Sequence, residues 1–294
     1  MKPAPFEYYV PDSVDQALAL LREHGDGAKL LAGGQSLVPA MNFRVVQPSV
    51  LIDLNRIEEL RYIREEDGTL QIGAMTRERA LEFDPVISKK TPLLAEVMPH
   101  VAHPQIRNRG TLGGSLANAD PAAELPVIML AMGARLKVSN AKGERWVDAK
   151  NFFIGMFATD MASDEMLVEI ELPSIQPRTG WSFMEVAPRA GDYAMMGVAA
   201  LVTLDENGKC RQAKLVYLNA GDGPIDATEA TQSLEGEPLN HQSVQSAAAL
   251  ASEKEINPFG NVHASPDFQR HLARVLTCKA LKQARQRATQ DILQ

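Results

Sequence analysis

Cysteine is scarce here: Cys210 and Cys278 are the only two among 294 residues. An iron–sulfur cluster is held as a rule by four cysteine thiolates, so this chain cannot hold one alone. Their separation suggests two reduced thiols rather than a disulfide or a metal pair. Long apolar runs are also lacking, and none reaches the roughly 18 residues of a membrane-spanning helix. Met1-Lys2-Pro3-Ala4-Pro5 has no continuous apolar segment and no cleavage site, so no secretory signal is expected, and the expected location is cytoplasmic. Positive charge is not in excess. A net charge of −7 gives no basic footprint for nucleic acid. Lys279, Lys282, Arg285 and Arg287 gather near the C-terminus, but their helical spacing reads as a solvated helix face. Internal repeats and low-complexity segments are missing too.

The chain is otherwise of ordinary globular balance, 45% hydrophobic and 23% charged. Its length exceeds that of a typical single core, so two or three packed units are expected. Residues 13–24 read as a helix: Ser13 caps it, Gln16 completes a capping box, and Val14, Ala17, Leu18 and Leu21 form one apolar face. Gly25 is placed to end it. The apolar run 29–32 stops at Gly33-Gly34, a helical turn follows over 36–41, and a second apolar run spans 50–54. This order predicts a small parallel β/α unit.

Further on, 60–64 and 69–74 flank Asp67-Gly68, a hairpin signal. Thr91-Pro92 opens a helix through Val101 with proline at its first position. Another helix is expected over 122–132, then strands over 134–139 and beyond a turn at 140–143. Val168, Ile170 and Leu172 alternate as in a half-buried strand. Two prolines and a glycine in 174–180 mark a domain boundary. Strands are expected at 181–186, 197–204 and 213–218, the last two joined by a turn at Glu206-Asn207-Gly208. Two or three helices finish the chain, the longest from about Pro266 to Leu293.

Two loops carry the chemistry. The first is Ala32-Gly33-Gly34-Gln35-Ser36-Leu37, where paired glycines after a strand let the backbone turn and approach a ligand closely. Successive N–H groups before a helix make an anion site. From this loop alone, a ligand-free turn and an anion site stand equally. The second runs from Arg109 to Pro121, with Gly110, Gly113 and Gly114 among Thr111, Ser115, Asn118 and Asp120. Neither loop matches G-x-G-x-x-G, and neither has the lysine of a P-loop. Two anion nests suit a diphosphate clamped between them, and so a dinucleotide such as FAD. Neutralisation by N–H dipoles is adequate for a pyrophosphate.

The loop 31–37, the stretch Ile106 to Pro126, and Arg189-Ala190-Gly191-Asp192-Tyr193-Ala194 together resemble the FAD-binding medium subunit of the xanthine dehydrogenase and carbon monoxide dehydrogenase family of molybdenum hydroxylases. The likeness covers nearly the whole chain. It implies an α+β fold. A FAD-binding domain at 1–176 would hold a small parallel β/α subdomain (about 1–56) and a larger mixed or antiparallel one (57–176). A C-terminal domain at 177–294 would have an antiparallel sheet and helices. The resemblance also implies non-covalent FAD. Leu30, Leu31, Ala32, Gly33, Gly34, Gln35, Ser36 and Leu37 would hold its pyrophosphate and ribityl chain with Thr111, Leu112, Gly113, Gly114 and Ser115, mainly through backbone N–H groups. Val101, Asn118, Asp120, Glu124 and Leu167 complete the implied cofactor set. Tyr193 falls where an aromatic ring lies against the isoalloxazine. The implied partners are a large subunit with a molybdenum–pterin centre and a small subunit with two [2Fe–2S] clusters, in a dimer of heterotrimers. This chain would be the electron outlet, with no catalytic side chain and no metal of its own.

One departure is notable: Glu185 stands where the family often has lysine, eight residues before the tyrosine. An inward carboxylate would lower the flavin potential, and an outward one would not. Pro188 also replaces a commonly basic residue. His100 and His103 lack a completing ligand and read as surface or interface histidines. Ser36 and Ser115 lack the surroundings of a hydrolase nucleophile. Trp181, Phe183, Met195 and Met196 read as core. A free-standing flavoprotein oxidase of related fold, or a non-catalytic nucleotide-binding module, would use the same loops. The oxidases are usually longer, with a substrate-capping domain.

Overall fold

Parallel pairing in the first 53 residues depends on a strand the sequence does not announce. In the computed structural model, which describes residues 1–290, β1 (Glu7–Tyr9) lies beside β3 (Val50–Asp53), which in turn lies beside β2 (Ala28–Leu31). All pairs are parallel. Between them run α1 (Val14–His24) and α2 (Leu37–Asn42). Ser13 Oγ accepts from Gln16 N at 3.3 Å, but Gln16 Oε1 accepts from Asp12 N (3.0 Å) rather than from Ser13. The box is therefore displaced by one residue. Ala17, Leu18 and Leu21 are buried, and Gly25, at φ 51°, ends the helix by donating to Leu21 O.

The middle unit is a five-stranded antiparallel sheet. It contains β4 (Ile63–Glu66), β5 (Thr69–Gly73), β6 (Arg135–Asn140), β7 (Gly143–Asp148) and, after a two-stranded ribbon of β8 (Phe153–Gly155) and β9 (Ala158–Thr159), β10 (Met166–Pro173). The order is β4-β5-β10-β6-β7. Asp67 (φ 51°) and Gly68 (φ 77°) make the β4–β5 turn with two positive φ values, as a type I′ hairpin demands. Between β5 and β6 lie α3 (Glu78–Phe83), α4 (Pro85–Lys90), α5 (Pro92–Val97), α6 (Pro104–Arg107), α7 (Leu112–Asn118) and α8 (Glu124–Met132), and α9 (Ala149–Phe152) follows β7. The helix expected through Val101 stops at Val97 and finishes in a 3-10 turn ending at His100. All nine residues of α8 are buried, because it packs against α5 and the C-terminal sheet.

The strand expected to be half-buried is instead central. A register shift between Leu167 and Glu169 turns β10 over. Met166 and Val168 thus join the N-terminal core with Ile52 and Ile57, while Leu167, Ile170 and Leu172 join the middle core. One strand thus serves two hydrophobic cores.

The C-terminal sheet orders β11 (Thr179–Val186), β12 (Met196–Leu204), β13 (Cys210–Leu218) and β14 (Ile225–Asp226) in sequence, all antiparallel. Then come α10 (Thr228–Gln232), α11 (His241–Leu250) and α12 (Pro266–Gln290). The stretch of the expected final helix beyond residue 290 lies outside the described residues. Ala273, Ala280, Ala284 and Ala288 give α12 a thin buried face. The helix approaches β11 so closely that a Cβ on Gly180 would come within 2.5 Å of Ala288 N. Its basic residues are not uniformly solvated: Arg287 pairs with Glu96 at 2.5 Å and stacks on Trp181. Phe183 is buried and Trp181 partly so, both against the middle core. Among the described residues, no helix is long and apolar enough to cross a membrane.

Candidate cofactor site

The two glycine loops, some 75 residues apart in sequence, meet in space. A Cβ on Gly33 would overlap the carbonyl oxygen of Arg109 and lie 2.7 Å from Gly110 Cα. A Cβ on Gly114 would lie 2.7 Å from Thr111 Oγ1 and 3.2 Å from Ala32 Cβ. Gly113 is pressed in the same way on Ala74. Only residues without side chains allow this approach, so the glycines serve closeness first. Of the five, only Gly34 needs its freedom of φ, at +73°.

A polar brace fixes the junction. Asn55 Nδ2 donates to Ala32 O (2.9 Å) in the first loop. Arg77 donates to Asn55 Oδ1 (2.5 Å) with one amino group and to Arg109 O in the second loop with the other. Asp53 orients Asn55 and accepts from the Tyr8 hydroxyl. Tyr8, Asp53, Asn55 and Arg77 were missed in the sequence because no local motif ties them to a loop. Asp53 and Asn55, polar residues at the end of an apolar strand, were the available signal.

The loops are unequal as donors. Among the described residues, the amides of Gly34, Gln35 and Ser36 have no protein acceptor, although Gln35 Nε2 reaches back to Gly33 O. In the second loop, Leu112 N donates to Thr76 O, Gly113 N to Ala74 O, Gly114 N to Thr111 Oγ1 and Ser115 N to Thr111 O. These N–H groups, expected to face the cofactor, are already engaged: Thr111 caps α7, and the segment at 74–76 docks its first turn. The second loop therefore presents bare glycine surface and the Ser115 side chain, and the first presents the free donors.

Of the other implied residues, Val101 and Leu167 lie in the middle core with Leu112 and Leu116. Leu30 and Leu31 are half-buried on β2, ahead of the first loop, and Leu37 begins α2. Asn118 ends α7, and Ala119 after it is left-handed at φ 48°. Asp120 Oδ1 accepts from Ala122 N at 2.9 Å, and burial pushes the carboxyl up. Glu124, in the first turn of α8, is 8% exposed. Burial first, then repulsion from Glu185, Glu78 and Asp120, pushes its carboxyl up to about 8.

Tyr193 is 70% exposed, on the connection between β11 and β12. Its hydroxyl is raised by desolvation and by the charges of Asp120 and Glu124, which puts it in their neighbourhood. The connection is held from two sides. Gly191, at φ +83°, packs its bare face on His103 and Ala102 O. Asn219 Nδ2 donates to Ala194 O (2.8 Å), and Asn219 N donates to Pro121 O (2.8 Å). Gln269, fully buried in α12, donates to Met195 O (2.8 Å) and Asn219 O. Asn219 thus ties the tail of the second loop to the tyrosine segment. Sequence reasoning found neither Asn219 nor Gln269.

The Glu185 carboxylate points inward. Its side chain is 6% exposed, Oε1 lies 3.1 Å from His100 Nδ1, and Oε2 is buried without a partner among the described residues. His100 also sets its ring edge-on to Phe183. Among the described residues, no group of three or more acidic, histidine or cysteine side chains is arranged to hold a metal ion. A groove of about 460 Å³ lined by Gln245, His271, Arg274, Val275, Cys278 and Lys279 shares no residue with either loop.

Residues 4–175 match the family model described as the FAD binding domain in molybdopterin dehydrogenase. The chain belongs to this family. Residues 181–284 match the CO dehydrogenase flavoprotein C-terminal domain. The chain is 43% identical to the 6-hydroxypseudooxynicotine dehydrogenase complex subunit alpha of Paenarthrobacter nicotinovorans over 98% of this chain and 97% of that one. It is 37% identical to the carbon monoxide dehydrogenase medium chain of Hydrogenophaga pseudoflava, over 97% and 98%. A chain in the carbon monoxide dehydrogenase structure from that organism superposes with a TM-score of 0.95 at 38% identity, over 98% and 99%. Quinoline 2-oxidoreductase from Pseudomonas putida 86 gives 0.92 at 37%, over 98% and 99%. The α+β architecture and the FAD cofactor expected from the sequence agree with this membership, and the chain is the FAD-binding component of a dehydrogenase.

The residues present fit FAD. Three unengaged amides in the first loop, a second loop stripped of side chains at the contact, and an exposed aromatic ring in the neighbourhood of Asp120 and Glu124 are complementary to a diphosphate joined to a flat ring system.

Proposed function

We propose that this chain is the electron outlet of a heterotrimeric molybdenum hydroxylase. It takes electrons from the [2Fe–2S] clusters of a small partner subunit and passes them to an external acceptor, while a large molybdopterin-binding subunit hydroxylates the substrate. The assembly is a dimer of such heterotrimers. FAD, when bound, supplies a centre able to exchange electrons with one-electron and two-electron partners. The chain divides near residue 176 into a cofactor domain and a C-terminal domain, which is supported by the extents of the two family models.

The protein's own work is positioning. Gly34, Gln35 and Ser36 donate N–H groups to the diphosphate, and Gly113, Gly114 and Ser115 close over it from the other side. Leu30 to Leu37, Val101, Thr111, Leu112, Asn118, Asp120, Glu124 and Leu167 shape the rest of the site. Tyr193, held by Asn219 and Gln269, lies against the isoalloxazine. No side chain acts as a base toward the organic substrate.

The observation that carries this reading is the junction of the two glycine loops, Gly33 on Arg109-Gly110. It occurs in a chain that matches medium subunits along nearly its whole length. The test is a limiting reduction of the native complex by dithionite, followed at the flavin and cluster absorbances. Both bands should bleach, and removal of FAD should abolish electron delivery to oxygen, NAD or a quinone, tried in turn, until FAD is restored. An FAD-loaded chain that oxidises a small organic substrate without partners would overturn the reading.

A further inference from the structure

Beneath the second glycine loop lies a carboxylate that the electron-transfer reading does not use. Glu78, the first residue of α3, is 5% exposed. Its carboxyl group is packed on the backbone of Gly110: a Cβ at position 110 would lie 2.5 Å from Glu78 Cδ. Glu78 N donates to Gly110 O at 3.0 Å, so residue and loop move together. Among the described residues, Glu78 Oε2 is buried with no hydrogen-bond partner.

The cations nearest to it are committed elsewhere. Arg77 spans Asn55 and Arg109 O. Arg107 holds Glu82 through two nitrogens and the carbonyls of Val101 and Ala102 through a third. Of the other charged groups on α3 and the elements packed against it, Arg79 pairs with Glu82, Lys89 is exposed, Lys90 pairs with Glu65, Glu96 with Arg287, and His100 with Glu185. Glu124 adds a further buried carboxyl, which the Glu78 charge helps to push up. A buried anion with an unmet oxygen is costly, and a second anion placed above it adds repulsion.

We infer that Glu78 is the residue through which diphosphate binding takes up a proton: seating FAD on the Gly110–Gly114 loop converts the Glu78 carboxylate to the carboxylic acid. The step is Glu–COO⁻ plus one proton from solvent giving Glu–COOH, with no electron transferred. The added proton removes the negative charge held against Gly110, beneath the loop that receives the diphosphate. Burial already pushes Glu78 up to about 7, against the pull of Arg107 and Arg77, so the free chain is poised to take the proton near neutrality. The consequence is FAD affinity that falls with rising pH. The inference rests on the assignment of the two glycine loops to the diphosphate.

The test is calorimetric titration of FAD into the deflavinated chain at about pH 8, in HEPES and in Tris, whose different ionisation enthalpies report the protons taken up. Uptake approaching one proton is expected, with FAD Kd weakening up to tenfold per pH unit above neutrality. E78Q, which keeps shape and loses the charge, should take up none and bind with a flat pH profile. Riboflavin, which has no phosphate, should take up none on the unsubstituted chain, while ADP-ribose, whose diphosphate diester does not titrate near pH 8, should reproduce the uptake. If FAD binds without proton uptake, the inference fails and the functional reading stands. If FAD does not bind at all, the functional reading fails. Uptake that persists in E78Q and disappears in E124Q would assign the proton to Glu124 and overturn the inference, a result that does not require E78Q to bind tightly.

Discussion

Replacing Gly33 by alanine tests the loop junction where it is tightest. The new methyl would overlap the Arg109 carbonyl and lie 2.7 Å from Gly110 Cα, and both obstacles are backbone. Neither can swing aside as a side chain would, so the loops must separate. Forcing a methyl group into packed space costs about 1–3 kcal/mol. If the separation falls on the FAD-binding arrangement, FAD Kd weakens about 5- to 150-fold. The apo chain should also melt lower, by roughly 2–4 °C for each kcal/mol lost. Flavin fluorescence quenching during titration of the deflavinated chain measures the first effect, and a thermal melt measures the second. Gly223→Ala is the control, since a Cβ there meets nothing within 4 Å. It should change stability by no more than about 0.5 kcal/mol. A G33A chain that binds FAD and melts like the unsubstituted protein would refute the claim that loop contact builds the site.

Tyr193→Ala should leave the melting temperature within about 2 °C, because the ring is 70% exposed, while weakening FAD binding and altering the flavin absorption spectrum. Gln269→Ala removes donors from Met195 O and Asn219 O inside the protein. It should cost about 1–3 kcal/mol per stranded group in a denaturant titration and loosen the tyrosine segment. Glu124 sits at about 8 in the fold against an ordinary 4.5. The native state therefore holds its proton where the unfolded chain has lost it, and stability falls as pH rises between these values. E124Q should consequently melt higher than the unsubstituted chain at pH 9 and alike near pH 4, and equal melts at both would count against the buried assignment. Glu185→Gln removes an inward charge and should raise the flavin midpoint potential in a reductive titration.

Local chemistry made much of this legible. Ser13, Gly25 and Asp67-Gly68 act on their neighbours, and their effects follow from the residues themselves. The glycine loops were legible for the same reason, and the family resemblance connected them to a cofactor. Tertiary pairing hid the rest. β1 is three residues long, and the strand beside it, β3, lies over 40 positions away. The alternation of Val168, Ile170 and Leu172 is genuine, yet a bulge sends Met166 and Val168 to a different core, which no period-two pattern announces. The N–H groups of the second loop looked free until Ala74 and Thr76 came to meet them. Asn219 and Gln269 act on Tyr193's segment from β13's end and from α12, and no spacing rule reaches that far. Whether Glu185 faced inward was undetermined until His100 was found beside it.

Composition decides whether this chain carries FAD within a molybdenum–iron–sulfur assembly. The native complex, isolated through a tag on this chain, should release stoichiometric FAD on acid treatment and contain iron and molybdenum in two co-purifying subunits. A preparation without flavin, or one with FAD on this chain but no iron or molybdenum partner, would contradict the account.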